Sequence, residues 1–62
     1  MNTVYFAEGR LWVGDIDLHC GSRIELESGA VLRIEITDTD GWFAVDESNQ
    51  RRAILGRKAR VL

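Results

Sequence analysis

Over most of its length the chain alternates apolar and polar side chains with a period of two, and turn-forming residues interrupt it about every eight to twelve positions. Successive side chains of a strand point to opposite faces, so this pattern suits strands with one buried face and not an amphipathic helix. No proline breaks the runs, and there is no internal repeat, linker or low-complexity tract. The expected fold is all-β, one small domain over residues 1–62. Five or six short antiparallel strands around one core predict a small SH3-like or OB-like barrel or a strongly twisted sheet, since closure removes the edges at which open sheets aggregate.

Turn chemistry sets the expected registers. A two-residue turn at Glu8-Gly9 joins residues 4–7 to 10–13, pairing Phe6 with Leu11 and Val4 with Val13 inside and Tyr5 with Trp12 outside. A loop at Ser28-Gly29-Ala30 joins 23–27 to 31–36, with Leu26 opposite Leu32, Ile24 opposite Ile34, and Glu25 and Arg23 against Arg33 and Glu35. Ala30 is not the glycine that such a loop wants at its left-handed position, so a five-residue loop is the alternative. A tight turn at Asp40-Gly41 pairs Ile36 with Val45, buries Phe43 and leaves Trp42 outside, opposite Thr39. A fifth strand over 51–55 and a sixth over 59–62 complete the sheet.

A chain of 62 residues builds one thin core worth about 3–5 kcal/mol of net stability, which leaves little to offset a buried catalytic constellation. Surface binding is the expected mode of action. One cysteine cannot form an intramolecular disulfide, there is no apolar run of membrane-spanning length, and the N-terminus lacks a signal-peptide pattern. A cytoplasmic protein, without membrane contact, is the expectation. The net charge of −2 hides an asymmetry: residues 1–50 carry ten acids against three arginines, a balance of −7, while the last twelve carry five cations and no acid, +5. Either the basic terminal strand lies beside acidic ones and neutralises them, or the surface is electrically polarised.

No catalytic motif assembles. His19 and Cys20 are adjacent, so in an extended strand they face opposite ways; Cys20 is expected as a small core residue and His19 at the surface. Two such groups do not complete a zinc site, and Asp38-Thr39-Asp40-Gly41 opens like a calcium loop but has Asn49 where the closing glutamate belongs. The glycines stand singly, with no phosphate-cradling loop, and no apolar pocket is evident around Asp15 and Asp17 to split their acidities. The chain is read as a non-enzyme with no cofactor and no metal.

Two surface features remain as candidate binding residues. Tyr5, Trp12 and Trp42 are predicted outward, as anchors for a protein partner or as caps on the ends of the core. Asp15, Asp17, Asp38, Asp40, Asp46 and Glu47 have no evident cross-strand partner; they are either solvated turn acids or an acidic face suited to a basic groove, as a mimic of nucleic-acid phosphates is.

The run Asp15-Ile16-Asp17-Leu18-His19-Cys20-Gly21, with Ile24, Leu26, Arg33-Ile34-Glu35 and Gly41-Trp42-Phe43 after it, resembles a family of small domains of phages and mobile elements that share a Leu-His-Cys-Gly turn and a later Gly-Trp-aromatic strand. That resemblance spans roughly residues 11–45 and implies a compact β-barrel. In size and acidity the chain also resembles, by type, the small anti-CRISPR inhibitors, which implies a Cas or other defence-complex subunit as partner. The expected protein is a monomer or weak dimer that inhibits such a complex by protein–protein binding, acidic loops competing for its nucleic-acid groove. A small nucleic-acid-binding barrel using Arg51, Arg52, Arg57, Lys58 and Arg60, or a peptide-binding SH3-like adaptor, is the alternative.

Overall fold

Glu8 and Gly9 both take positive φ, 56° and 73°, the primed geometry whose twist matches that of flanking strands. In the computed structural model, which describes all 62 residues, this turn joins β1 (Asn2–Ala7) to β2 (Arg10–Val13) in the expected register, Val4 opposite Val13, Tyr5 opposite Trp12 and Phe6 opposite Leu11. A strand not foreseen, β3 (Ile16–Asp17), follows and pairs with β2.

The second hairpin, β4 (Arg23–Leu26) and β5 (Val31–Thr37), keeps its apolar face but slides by two residues from expectation: Ile24 lies opposite Leu32 and Arg23 opposite Arg33. The cause is Gly29. Its φ of 91° takes the left-handed position that Ala30 would have occupied, and the loop moves back one residue to Glu27-Ser28-Gly29, closed by the Leu26 amide donating to the Ala30 carbonyl at 2.9 Å. The expected charge pairs are replaced: Glu25 accepts from Arg60 at 2.7 Å, and Arg33 binds Glu35 on its own strand at 3.1 Å.

In the third hairpin the correction is larger. β5 meets β6 (Gly41–Val45) through a three-residue connection, with Ile36 opposite Trp42 and Arg33 opposite Val45. The Asp40 amide donates to Thr37 Oγ1 at 3.0 Å and Gly41 takes φ 71°, which holds the turn earlier than Asp40-Gly41 alone predicts. A shift by an odd number exchanges the faces of a strand. Trp42 therefore turns inward against the core, and Phe43 outward, beneath the guanidinium of Arg51 at 3.9 Å from the ring centroid.

The last strands, β7 (Arg51–Arg52) and β8 (Lys58–Val61), are shorter or displaced relative to the expected 51–55 and 59–62. All eight strands form one antiparallel sheet in the order β3-β2-β1-β8-β4-β5-β6-β7. The expected five- or six-stranded SH3-like or OB-like barrel is thus corrected to an eight-stranded sheet whose terminal strands do not pair with each other. Two residues each, β3 and β7 present little edge for aggregation, and β7 is entirely arginine.

No helix is present, so none is long and apolar enough to cross a membrane, and no helix covers the sheet. The sheet covers itself. Trp42 Nε1 on β6 donates to the Gly9 carbonyl in the β1–β2 turn at 3.2 Å, although four strand spacings, roughly 19 Å if flat, separate β1 from β6. The concave face encloses Val4, Leu11, Val13, Ile24, Leu26, Leu32, Ile34, Ala44 and Ala59, with Leu18 and Ile54 contributed by connections.

Candidate functional site

Where the two arms of the curled sheet approach each other they leave an apolar cleft of about 350 Å³. Phe6 and Leu11 on β1 and β2 form one wall, Trp42 and Ala44 on β6 the other, and Ile54 and Leu55 the end. The connection that carries Leu55 is fixed along β1: the Gly56 amide donates to the Val4 carbonyl at 2.8 Å, and the Val4 amide to the Arg57 carbonyl at 2.9 Å. Burial is incomplete here. Phe6, expected in the core, is 53% exposed, Leu55 64%, and Ile36, the cross-strand neighbour of Trp42, 44%. Contiguous exposed apolar surface of this kind marks interaction sites in soluble domains.

Trp42 is the one candidate aromatic that the fold brings to this cleft. Its indole N–H is satisfied by Gly9, and Arg10 sits over its ring at 5.7 Å. Tyr5 and Trp12 lie on the opposite, convex face as expected, stacked with centroids 6.4 Å apart and planes 11° from parallel. Both polar groups are used locally: Tyr5 Oη donates to the Gly14 carbonyl at 2.6 Å and Trp12 Nε1 to the Ala7 carbonyl at 3.0 Å. That pair is a cross-strand brace of the first hairpin, remote in orientation from Trp42.

The six candidate acids do not form a free anionic face. Asp17 accepts from Arg10 Nε at 2.8 and 2.9 Å, Asp40 from Arg51 at 2.8 Å, and Asp46 from Arg52 at 3.2 Å. Two of these partners, Arg51 and Arg52, come from β7, and they reach Asp40 and Asp46 through the pairing of β7 with β6, which the alternation of the sequence does not specify. Asp46 also organises the β6–β7 loop. The Gln50 amide, the largest influence, donates to its Oδ1 at 2.9 Å and holds its carboxyl below the usual range; partial burial opposes this, and Arg52 and the Ser48 amide reinforce it. Asp15, Asp38 and Glu47 are exposed turn residues outside the ion pairs.

The basic C-terminal segment behaves as the neutralising strand. Arg51, Arg52 and Arg60 are paired with Asp40, Asp46 and Glu25, which leaves Arg57 and Lys58 without an acid. Cys20, expected in the core, is exposed, because residues 18–22 form a turn and not a strand; its thiol points to Glu35 at 3.5 Å while His19 Nδ1 faces Arg10 at 3.2 Å. No three His, Cys, Asp or Glu side chains gather where they would hold a metal ion. One signal for the cleft was present in the sequence: Ala53-Ile54-Leu55 is three apolar residues in a row, which a strand cannot place on one face. Comparison with protein families, characterised proteins and solved structures finds no match to this chain.

Proposed function

We propose that the protein is a non-enzymatic binding domain whose apolar cleft receives part of a protein partner. The observation that carries this reading is the exposure of Phe6 and Leu55 beside half-buried Trp42, around a cavity in a domain too small to leave such area in water without cost. Aromatic and aliphatic groups around a partly desolvated hollow are the usual anchors of protein interfaces. The ion pairs of Asp17, Asp40 and Asp46 favour this cleft over the acidic turns as the binding surface. They also weigh against a phosphate-mimicking face. With three of its five cations paired, the C-terminal segment is a poor nucleic-acid platform.

The specific form of the proposal is a phage or mobile-element inhibitor, acting in the bacterial cytoplasm on a Cas or other defence-complex subunit. Its support is the Leu18-His19-Cys20-Gly21 run and the resemblance in size and acidity to anti-CRISPR inhibitors. Nuclease-treated pull-downs from cells with an active defence system test it. The wild type is expected to retain a defence subunit that Leu55→Ser loses at unchanged melting temperature. Equal retention by the two proteins, or retention only with intact nucleic acid, counts against the cleft.

A further inference from the structure

The cleft coincides with an open strand edge. The Ile34 amide donates to the Ser22 carbonyl at 2.8 Å and its carbonyl accepts from Gly21 at 2.7 Å, so Ile34 turns its polar backbone toward β4. By alternation Arg33, Glu35 and Thr37 turn theirs toward β6, where they meet Val45, Phe43 and Gly41. Ala44 and Trp42 consequently direct their amides and carbonyls away from β5. Arg52 of β7 takes the Ala44 position, and β7 ends there. The Trp42 amide and carbonyl are left without a strand partner, beside the hollow that Trp42 itself lines.

The unpaired charges divide along the cleft, with Glu8 and Asp38 close in sequence to the residues at its Trp42 end and Arg57 close to those at its Leu55 end. Arg10 over Trp42, Arg51 over Phe43 and Arg52 in the cleft lining are engaged by Asp17, Asp40 and Asp46. Glu8 and Asp38 have no ion-pair partner and are exposed. Glu8 adjoins Gly9, whose carbonyl receives the Trp42 indole N–H, and Asp38 lies in the turn that leads into Gly41-Trp42. The two turns that flank the Trp42 end of the cleft thus each carry one unpaired carboxylate within reach of a long basic side chain on a segment that seats an apolar group between Phe6, Leu55 and Trp42.

We infer that the seam takes an extended peptide segment of its partner, added as a strand along β6 at Trp42, with one bulky apolar side chain in the cleft and lysine or arginine toward Glu8 and Asp38. This rests on the protein-binding reading of the cleft and names the partner's chemistry. Main-chain bonds supply affinity in strand addition, and the pocket and rim supply selectivity.

Three capped pentapeptides test it against the ¹⁵N-labelled full chain: a central leucine flanked by valines with lysine at both ends, the same peptide with glutamate ends, and the lysine peptide with its leucine nitrogen methylated. The lysine peptide is expected to shift the amide resonances of Phe6, Trp42 and Leu55 saturably. The glutamate peptide is expected to bind about tenfold more weakly, the methylated one not at all, and Glu8→Lys with Asp38→Lys to reverse the charge preference. Equal binding of lysine and glutamate peptides overturns the charge selection, and equal binding of the methylated peptide overturns strand addition. If no peptide shifts these resonances the inference fails. Loss of the partner by Leu55→Ser would then still uphold the cleft as a protein-binding site, and its retention would bring down both.

Discussion

The middle of the sheet and its seam are made of similar residues in the same alternating pattern, yet they meet water very differently. Ile24 and Ile34, on the adjacent strands β4 and β5, and Ala59, on β8 beside β4, are fully buried; Phe6 and Leu55, at the seam, are more than half exposed. The difference lies in neighbours and not in hydrophobicity. Ile24, Ile34 and Ala59 have chain hydrogen-bonded or paired on both sides, while Phe6 is paired only with Leu11, because β8 meets β1 no further than Asn2 and Thr3, and Leu55 lies in a connection outside the strands. Full burial of a side chain such as Leu or Phe contributes about 1.5–3 kcal/mol, comparable to the whole net stability of so small a domain. The seam therefore holds apolar surface that the fold leaves in water and that the proposed partner would cover, and the middle holds what keeps the chain folded.

The strongest way to break this comparison is to truncate one residue from each region. Ile34→Ala is expected to cost about 2–5 kcal/mol, enough to abolish cooperative urea unfolding followed by circular dichroism. Phe6→Ala is expected to cost only about 1 kcal/mol, since about half of its surface is already in water. Similar costs for the two would show that the seam is part of the core after all.

A smaller effect is expected where the two arms are tied. Trp42→Phe keeps a ring in the cleft and deletes the 3.2 Å bond to the Gly9 carbonyl, for a loss of about 0.5–1.5 kcal/mol. Amide exchange should quicken in the β1–β2 turn and leave Ile24 and Ile34 unchanged. Exchange rising equally in both regions would mean that the seam and the middle open as one unit.

What the sequence revealed follows the same division. The first hairpin was readable to the residue because a two-residue turn at Glu8-Gly9 permits one register. In the second, Gly29 carried the deciding information, and the misfit of Ala30 was its visible trace. The third was misread because Asp40-Gly41 is a strong turn dipeptide, while the bond from the Asp40 amide to Thr37 Oγ1 is not evident from dipeptide preferences. That error mattered most: it put Trp42 outside and Phe43 inside, and so concealed the cleft. The paired state of Asp17, Asp40 and Asp46 depends on long-range placement of β2, β3 and β7, which alternation alone does not fix.

The smallest expected effect concerns the edge strand beside the cleft. Asp46 binds Arg52 and the Gln50 and Ser48 amides, and its own amide donates to the Gln50 carbonyl at 2.9 Å, so one residue secures the two-residue β7. Its carboxyl titrates below the ordinary 3.8 when folded, with the Gln50 amide as main cause. A depressed folded value means that the ionised carboxylate contributes stability above the ordinary value, and that this contribution is lost as pH falls through the folded one. Asp46→Asn retains an acceptor oxygen but no charge. Melting curves of wild type and variant are therefore expected to run apart by a constant margin well above the ordinary 3.8 and to converge as pH falls below it and through the folded value. Exchange protection of the Arg52 amide, corrected for the slower intrinsic exchange in acid, should fall on acidification before that of Ile34. Curves that stay parallel to the lowest pH would show that the Asp46 charge does not hold β7. The seam's edge would then depend on the backbone bond between Asp46 and Gln50 alone.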